Sequence, residues 1–178
     1  EEFRSYLPKL RSDVDHIYFT LNNLLSWGHS QLNGSVTKPE GVVLSEIVEH
    51  NINLLTEIAD NKSIKIVSEV GPSTRIWSDP NQIDIVIRNL ISNALKFTPV
   101  NGMITIGAEE QNDSWLISIR DTGVGMDRLT LQNIFDSKNN HTTYGTANEK
   151  GTGLGLSLCR EMVEKNNGKI WVDSMLRK

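Results

Sequence analysis

The chain carries a single cysteine, Cys159, so no intrachain disulfide can form, and a reducing compartment is the natural expectation. Cys159 falls in an apolar helical stretch, where an unpaired thiol is expected simply to be core. Long apolar runs are missing as well. The longest, such as Ile85-Val86-Ile87 and Leu90-Ile91, are far too short to cross a bilayer, so no membrane segment is expected. No basic start followed by an apolar stretch and a small-residue cleavage site stands at the N-terminus. Basic residues are not in excess: 18 Lys and Arg face 22 Asp and Glu, a net charge of −4. Neutralising a nucleic-acid backbone needs clustered Lys and Arg, so no nucleic-acid partner is expected, although single basic residues beside a small phosphate ligand stay possible. An initial methionine is absent too, and a chain beginning at Glu1 is expected to be a piece of something longer. What remains is globular: 38% hydrophobic and 22% charged over 178 residues, enough for one buried core plus an appendage.

The first segment holds a repeat. Phe3, Leu7, Leu10, Val14, Ile17, Leu21 and Leu24 alternate spacings of four and three, the seam of a coiled-coil or four-helix-bundle helix. Pro8 confines that helix to about residues 7–31. An amphipathic helix lying on its own domain is the alternative. Asn33-Gly34-Ser35 ends it, and residues 35–43 read as a linker. A helix then starts at Ser45 or Leu44, with Ile47, Val48, Ile52, Leu55, Ile58 and Ala59 on one side. Strands are expected at 64–70 and 75–77. Asp79 as N-cap with Pro80 at the first helical position opens a helix that runs to about Phe97 and stops at Pro99. Further strands are expected at 103–108 and 115–120, a short helix at 127–135, a helix at 153–166 and a last strand at 169–174. Residues 136–150 are polar and lack periodicity. The order predicts a sheet covered by helices on one face.

Three stretches carry chemistry. On the helix after Asp79, residues Ile83, Val86, Ile87, Leu90, Ile91 and Ala94 form an apolar face, while Asn89, Asn93 and Lys96 stack at i, i+4 and i+7 on the side expected to be opposite. Asparagine oxygens are hard, neutral donors suited to a Mg²⁺ that already carries water and phosphates, and a lysine adds a point charge for phosphate oxygens. A merely solvated face would show the same spacing. Asp121-Thr-Gly-Val-Gly-Met126 follows an apolar strand; its glycines permit close backbone approach, and its carboxylate can accept from an exocyclic amine such as that of adenine. An ordinary Asp-Gly turn is the plainer alternative. Gly151-Thr-Gly-Leu-Gly-Leu156 leads from a loop into a helix, where free N–H groups and the helix dipole favour an anion. It is neither a P-loop, lacking Gly-Lys-Ser or Gly-Lys-Thr, nor a dinucleotide fingerprint, since no strand directly precedes it.

In this fixed order the three stretches resemble the sensor histidine kinases. Asn89-Leu-Ile-Ser-Asn93-Ala-Leu-Lys96-Phe97-Thr resembles their N box, Asp121 to Met126 their G1 box and Gly151 to Leu156 their G2 box, with Phe135 where an F box is expected. The likeness covers about residues 44–174, and the combination is specific within the wider superfamily that includes gyrase and MutL. It implies an α/β (α+β) Bergerat fold, a two-layer sandwich of a mixed, mostly antiparallel sheet covered by three helices and preceded by a long bundle helix. It also implies ATP as substrate and Mg²⁺ as cofactor. Asn93 would hold the metal, Asn89 and Lys96 would assist the triphosphate, and Phe97 and Met126 would belong to the nucleotide site. Asp121 would read the adenine amine, with Gly123 and Gly125 shaping the pocket. Gly151, Thr152, Gly153, Leu154, Gly155 and Leu156 would meet phosphates, residues 136–150 would be the lid over the nucleotide, and Lys150 would add a phosphate contact.

One position discriminates within the superfamily. The water-activating members have a glutamate where this chain has Asn89, and a neutral amide cannot serve as a general base. That favours phosphoryl transfer to a protein nucleophile over hydrolysis. A water-activating ATPase and a non-catalytic nucleotide-binding or dimerisation module stay as alternatives. The resemblance further implies that residues 1–34 are one helix of a dimerisation and phosphotransfer hairpin, giving a homodimer, and that residues 44–178 are the catalytic domain. A response regulator receiver domain is the implied partner and the cytoplasm the implied location. His16, His29, His50 and His141 lack the family's acceptor context, so the phosphoacceptor is expected upstream of Glu1. A further strand hairpin would be expected after Ser174.

Overall fold

The computed structural model describes Gly28 and residues 36–135, 143–147, 149 and 153–176. The expected heptad helix lies outside the described residues, Gly28 apart. The chain divides into two compact units, Glu1–Val36 and Thr37–Lys178. Among the described residues no helix is long and apolar enough to cross a membrane.

The second unit opens with a strand that the sequence reads as linker. β1 (Glu40–Val43) pairs antiparallel with β3 (Arg75–Ser78), Glu40 opposite Ser78 and Val43 opposite Arg75. Four residues with two valines give no readable alternation, so the partner strand decides the conformation. Helix α1 (Leu44–Asn61) follows at once without a side-chain cap. The turn before β3 meets its start instead: the first N–H, of Leu44, donates to the Thr74 carbonyl at 2.9 Å, and the Ser45 hydroxyl donates to the Pro72 carbonyl at 3.2 Å.

Helix α2 (Pro80–Phe97) starts as its sequence predicts. Asp79 Oδ1 accepts from Asn81 N at 3.0 Å and from Gln82 N at 3.1 Å, while Oδ2 accepts from Lys38 N at 2.9 Å. β2 (Lys65–Ser68), β4 (Met103–Gln111) and β5 (Ser114–Asp121) form a sheet in the order β2-β4-β5, the first pair parallel and the second antiparallel. Ile104 and Ile106 alternate inward along β4 and are fully buried. They meet Leu44, Val48, Ile87, Ile91 and Leu95 in the main core, against which Ile117 and Ile119 pack. Helix α3 (Arg128–Asn133) is short and capped by Asp127, whose Oδ1 accepts from Thr130 N at 2.7 Å. Helix α4 (Gly155–Lys165) lies on α2 through a second cluster of Val86, Leu158, Cys159 and Met162.

Two further expectations need correction. The side of α2 carrying Asn89 is not an outer face, because α4 covers it, and Asn89 is buried. Its Nδ2 donates to the Ile85 carbonyl at 2.9 Å. A Cβ at residue 155 would come within 2.8 Å of its Oδ1, so any side chain there must displace the buried amide. The last strand, expected at 169–174, does not form; residues 168–176 belong to no regular element. Ser174 in that segment reaches the loop after β5, where its Oγ accepts from Met126 N at 3.0 Å.

Gly155→Ala tests the α2–α4 contact. Alanine is the better helix former by about 1 kcal/mol. Overpacking against a buried amide costs about 1–3 kcal/mol, so net destabilisation is expected in a urea titration. Cys159, fully buried beside the Val86 carbonyl, has its thiol pushed by burial from an ordinary 9.0 up to about 12. The unfolded chain therefore loses this proton first. Its contribution to stability is complete below pH 9 and disappears as the pH approaches 12. Urea midpoints of the wild type are expected to fall over that interval more steeply than those of Cys159→Ala.

Candidate functional site

Helix α2 is the rod on which the candidate residues are arranged. Asn89, Asn93 and Lys96 lie along one side by their spacing; Asn89 is buried, and the other two are half-buried. The two glycine-bearing loops close on this helix at different heights. At its C-terminal end, Val124 N donates to the Phe97 carbonyl at 3.2 Å, and a Cβ at residue 123 would stand 2.7 Å from that same oxygen. Near its middle, Gly155 meets Asn89. Eight residues separate the two contacts, about 12 Å of helix, and Asn93 and Lys96 fall between them.

The first loop is built by Asp121 at the end of β5. Its Oδ1 accepts from Gly123 N at 2.7 Å, an Asx turn that folds the chain back toward Phe97. Thr122 locks the base of the loop to β4: Thr122 N donates to the Met103 carbonyl at 3.0 Å, and Met103 N donates to Thr122 Oγ1 at 2.9 Å. Gly125 takes φ +74°, and a side chain there would strike the Met175 carbonyl. Glycine is required twice over, by conformation and by space. Met126 and Phe135 are half-buried on either side of α3.

In the second loop Gly153 takes φ +75° and leads through Leu154 into α4, where Leu158 N donates to the Leu154 carbonyl at 3.1 Å. Gly155 and Leu156 form the first turn of α4, whose N–H groups have no partner within the helix. Lys150, Gly151 and Thr152 lie outside the described residues, as do 136–142 of the expected lid.

Lys96 faces the part of the lid that is described. Its Nζ donates to the Thr143 carbonyl at 2.7 Å and stands 4.7 Å from the centre of the Phe97 ring. Partial burial pulls its pKa below the usual lysine value, and the Glu149 charge opposes that shift. Among the described residues no group of three or more His, Cys, Asp or Glu could hold a metal ion. A single amide oxygen beside phosphate oxygens and water does fit Mg²⁺, which seldom uses an all-protein cage.

Sequence reasoning missed Lys62, Thr146 and Glu149, which gather at the C-terminal end of α2. It also missed Asn166 just past α4, whose Oδ1 accepts from Asp79 N at 2.8 Å and whose Nδ2 donates to Gln82 Oε1 at 2.7 Å. No local signal marks these residues, because their partners stand 33 to 87 positions away.

The family model for histidine kinase-, DNA gyrase B-, and HSP90-like ATPases matches residues 78–178. The adaptive-response sensory kinase SasA of Synechococcus elongatus is 35% identical over 140 residues, 78% of this chain and 36% of SasA. The chain thus spans about a third of that relative's length. The catalytic domain of histidine kinase ThkA superimposes with a TM-score of 0.66 at 30% identity, covering 75% of this chain and 87% of that one. The complex of ThkA with the response regulator protein TrrA shares the fold, with a TM-score of 0.70 at 24% identity over 96% of this chain and 47% of that one. The chain belongs to the histidine kinase-, DNA gyrase B-, and HSP90-like ATPase family, its 78–178 region being an ATP-binding catalytic domain of the sensor-histidine-kinase kind.

Proposed function

We propose that this chain binds ATP with Mg²⁺ between its two glycine loops and transfers the γ-phosphoryl group to a histidine of its own kinase for relay to a response regulator receiver domain. The observation that carries the reading is the arrangement along α2. Gly123 and Val124 abut Phe97, Gly155 abuts Asn89, and Asn93 and Lys96 lie between. A nucleotide lying along this span would have its base by Asp121 and its phosphates by α4.

Each residue then has a role. Asp121 is exposed with Oδ1 engaged by Gly123, so Oδ2 is the oxygen for the adenine amine. Gly123 and Gly125 keep the first loop close to the base, and Met126 and Phe135 border it. The N–H groups at Gly151, Thr152, Gly153, Leu154, Gly155 and Leu156 would serve the phosphates, with Lys96 and Lys150 adding positive charge. Asn93 would offer its amide oxygen to Mg²⁺, which supplies neutralisation of phosphate charge when bound. Asn89 is fixed by its bond to Ile85 and by Gly155, so it can orient polar groups but cannot take a proton from water. Catalysis would rest on positioning and charge neutralisation, as phosphoryl transfer generally does.

Residues 1–34 would supply one helix of a dimerisation hairpin, with 35–43 entering the catalytic domain at 44–178. The whole kinase would be a homodimer with this region in the cytoplasm. The complex of ThkA with TrrA supports the choice of a response regulator as partner.

Calorimetric titration of a non-hydrolysable ATP analogue tests the site. Saturable binding strengthened by Mg²⁺ is expected. Asp121→Ala should weaken it roughly 10- to 150-fold, the worth of a charge-assisted hydrogen bond. A folded wild-type chain that binds no analogue would overturn the reading. Phosphate transfer from ATP to a supplied histidine hairpin then separates a kinase from an ATPase, which would release phosphate without labelling the hairpin.

A further inference from the structure

Lys62 follows directly on α1 and is only 7% exposed. A buried ammonium is costly unless it is well paired, and here it is. Its Nζ donates to the Leu95 carbonyl at 2.6 Å and to Thr146 Oγ1 at 2.7 Å, with Glu149 Oε1 at 3.2 Å and the Lys96 carbonyl at 3.3 Å. Two of these acceptors are last-turn carbonyls of α2, which have no partner within the helix and sit at the negative end of its dipole. The other two belong to the segment just before the second glycine loop. One charge therefore serves a helix end and a loop at once.

That segment lies flush on the helix end. Thr146 N donates to the Lys96 carbonyl at 3.0 Å, and Thr146 Oγ1 lies 3.1 Å from the same oxygen and 3.0 Å from the Thr98 carbonyl. Glu149 braces it from within, accepting from Ala147 N through Oε2 at 2.8 Å and from Gly145 N through its carbonyl at 2.9 Å. At Gly145 there is no room for a side chain, since a Cβ would fall 2.5 Å from Lys96 Cγ. Three residues earlier than Thr146, the Thr143 carbonyl receives the hydrogen bond of Lys96 Nζ. The loop that Lys62 holds is thus the loop that aims Lys96.

We propose that Lys62 is a positioning residue for the nucleotide: by fastening Thr146 and Glu149 to the C-terminal end of α2, it fixes the Thr143 carbonyl and so the direction in which Lys96 presents its ammonium to phosphate. Lys62 touches no substrate itself. The inference rests on the nucleotide reading of the site, with Lys96 as its phosphate contact. It differs from a plain capping role in one respect: a cap alone would alter the affinity for every part of the nucleotide in step, whereas a residue acting through Lys96 affects the phosphates.

The test has two arms on the full chain, with Lys62→Met as the first variant. Glu149→Gln is the second, because it perturbs the same link from the half-buried side should Lys62→Met fail to fold. Without nucleotide, amide hydrogen exchange at Gly145 and Thr146 is expected to accelerate at least about tenfold in both variants, while Ile87 and Ile91 in the core keep their rates. With nucleotide, affinity for a non-hydrolysable ATP analogue is expected to fall about tenfold while affinity for adenosine stays within about twofold. Adding Lys96→Met to Lys62→Met should then weaken analogue binding little further, since both act at one ammonium. Unchanged exchange at Thr146, equal losses for analogue and adenosine, or additive effects of the two lysine changes would each overturn the proposal. A wild-type chain that binds no analogue overturns the nucleotide reading instead, and the exchange arm still decides whether Lys62 fastens the loop.

Discussion

Helix α2 has to bury two faces at once, and the rest of the unit is arranged around that demand. Ile87, Ile91 and Leu95 turn toward the sheet and α1, while Val86 turns toward Leu158, Cys159 and Met162 of α4. A helix enclosed on both sides buries polar positions as well, and each of those needs a partner. Buried Asn89 bonds Ile85 and buried Gln82 accepts from Asn166, while half-buried Asp84 accepts from the buried Asn51 of α1 at 2.7 Å. Both ends of α2 are met by charge: Asp79 at the N-terminus and the Lys62 ammonium at the C-terminus, each complementing the helix dipole.

This enclosure gives a candidate site fixed geometry. Side chains at i, i+4 and i+7 on a free surface helix would wag in solvent. Here the helix is clamped between core clusters and capped at both ends, so the amides and the lysine inherit its rigidity. The glycines make the clamping close. Gly123 lets one loop reach the Phe97 carbonyl, and Gly155 lets α4 settle on Asn89. A methyl group at either place would meet these atoms at 2.7 to 2.8 Å, so a neighbour would have to shift.

The same enclosure separates positions that look equivalent in sequence. Asn89 and Asn93 are both asparagines on one side of one helix, yet the first is buried beneath α4 and the second is half-buried. Asn89 is neutral by its chemistry, and burial with its bond to Ile85 fixes its orientation. A carboxylate at that crossing would have to be desolvated beside Gly155, a cost an amide avoids. The neutral choice is thus consistent with the packing as well as with phosphoryl transfer to a protein group.

Local signals settled a good part of this structure. Asp79-Pro80 started α2 where an N-cap and a pre-set φ predict, and Pro99 stopped it near Phe97, because capping and proline geometry act within a few residues. The Asp121 loop fell between a strand and a helix, and the Gly153 loop at the start of a helix, for the same reason: glycine conformations are local. Spacing also marked the apolar face of α2, where Val86, Ile87, Ile91 and Ala94 are buried, but the tertiary structure alone decided that the second side is covered too. Spacing placed Asn89 on one side of α2 but could not reveal that α4 covers it. Two valines could not announce β1 without β3 beside them. The strand expected over 169–174 did not form, and Ser174 Oγ there accepts from Met126 N in the loop after β5. Lys62 shows the limit most plainly. Nothing near Asn61-Lys62-Ser63 distinguishes it from a surface lysine, because its partners lie 33 to 87 residues away and meet only when the chain has folded.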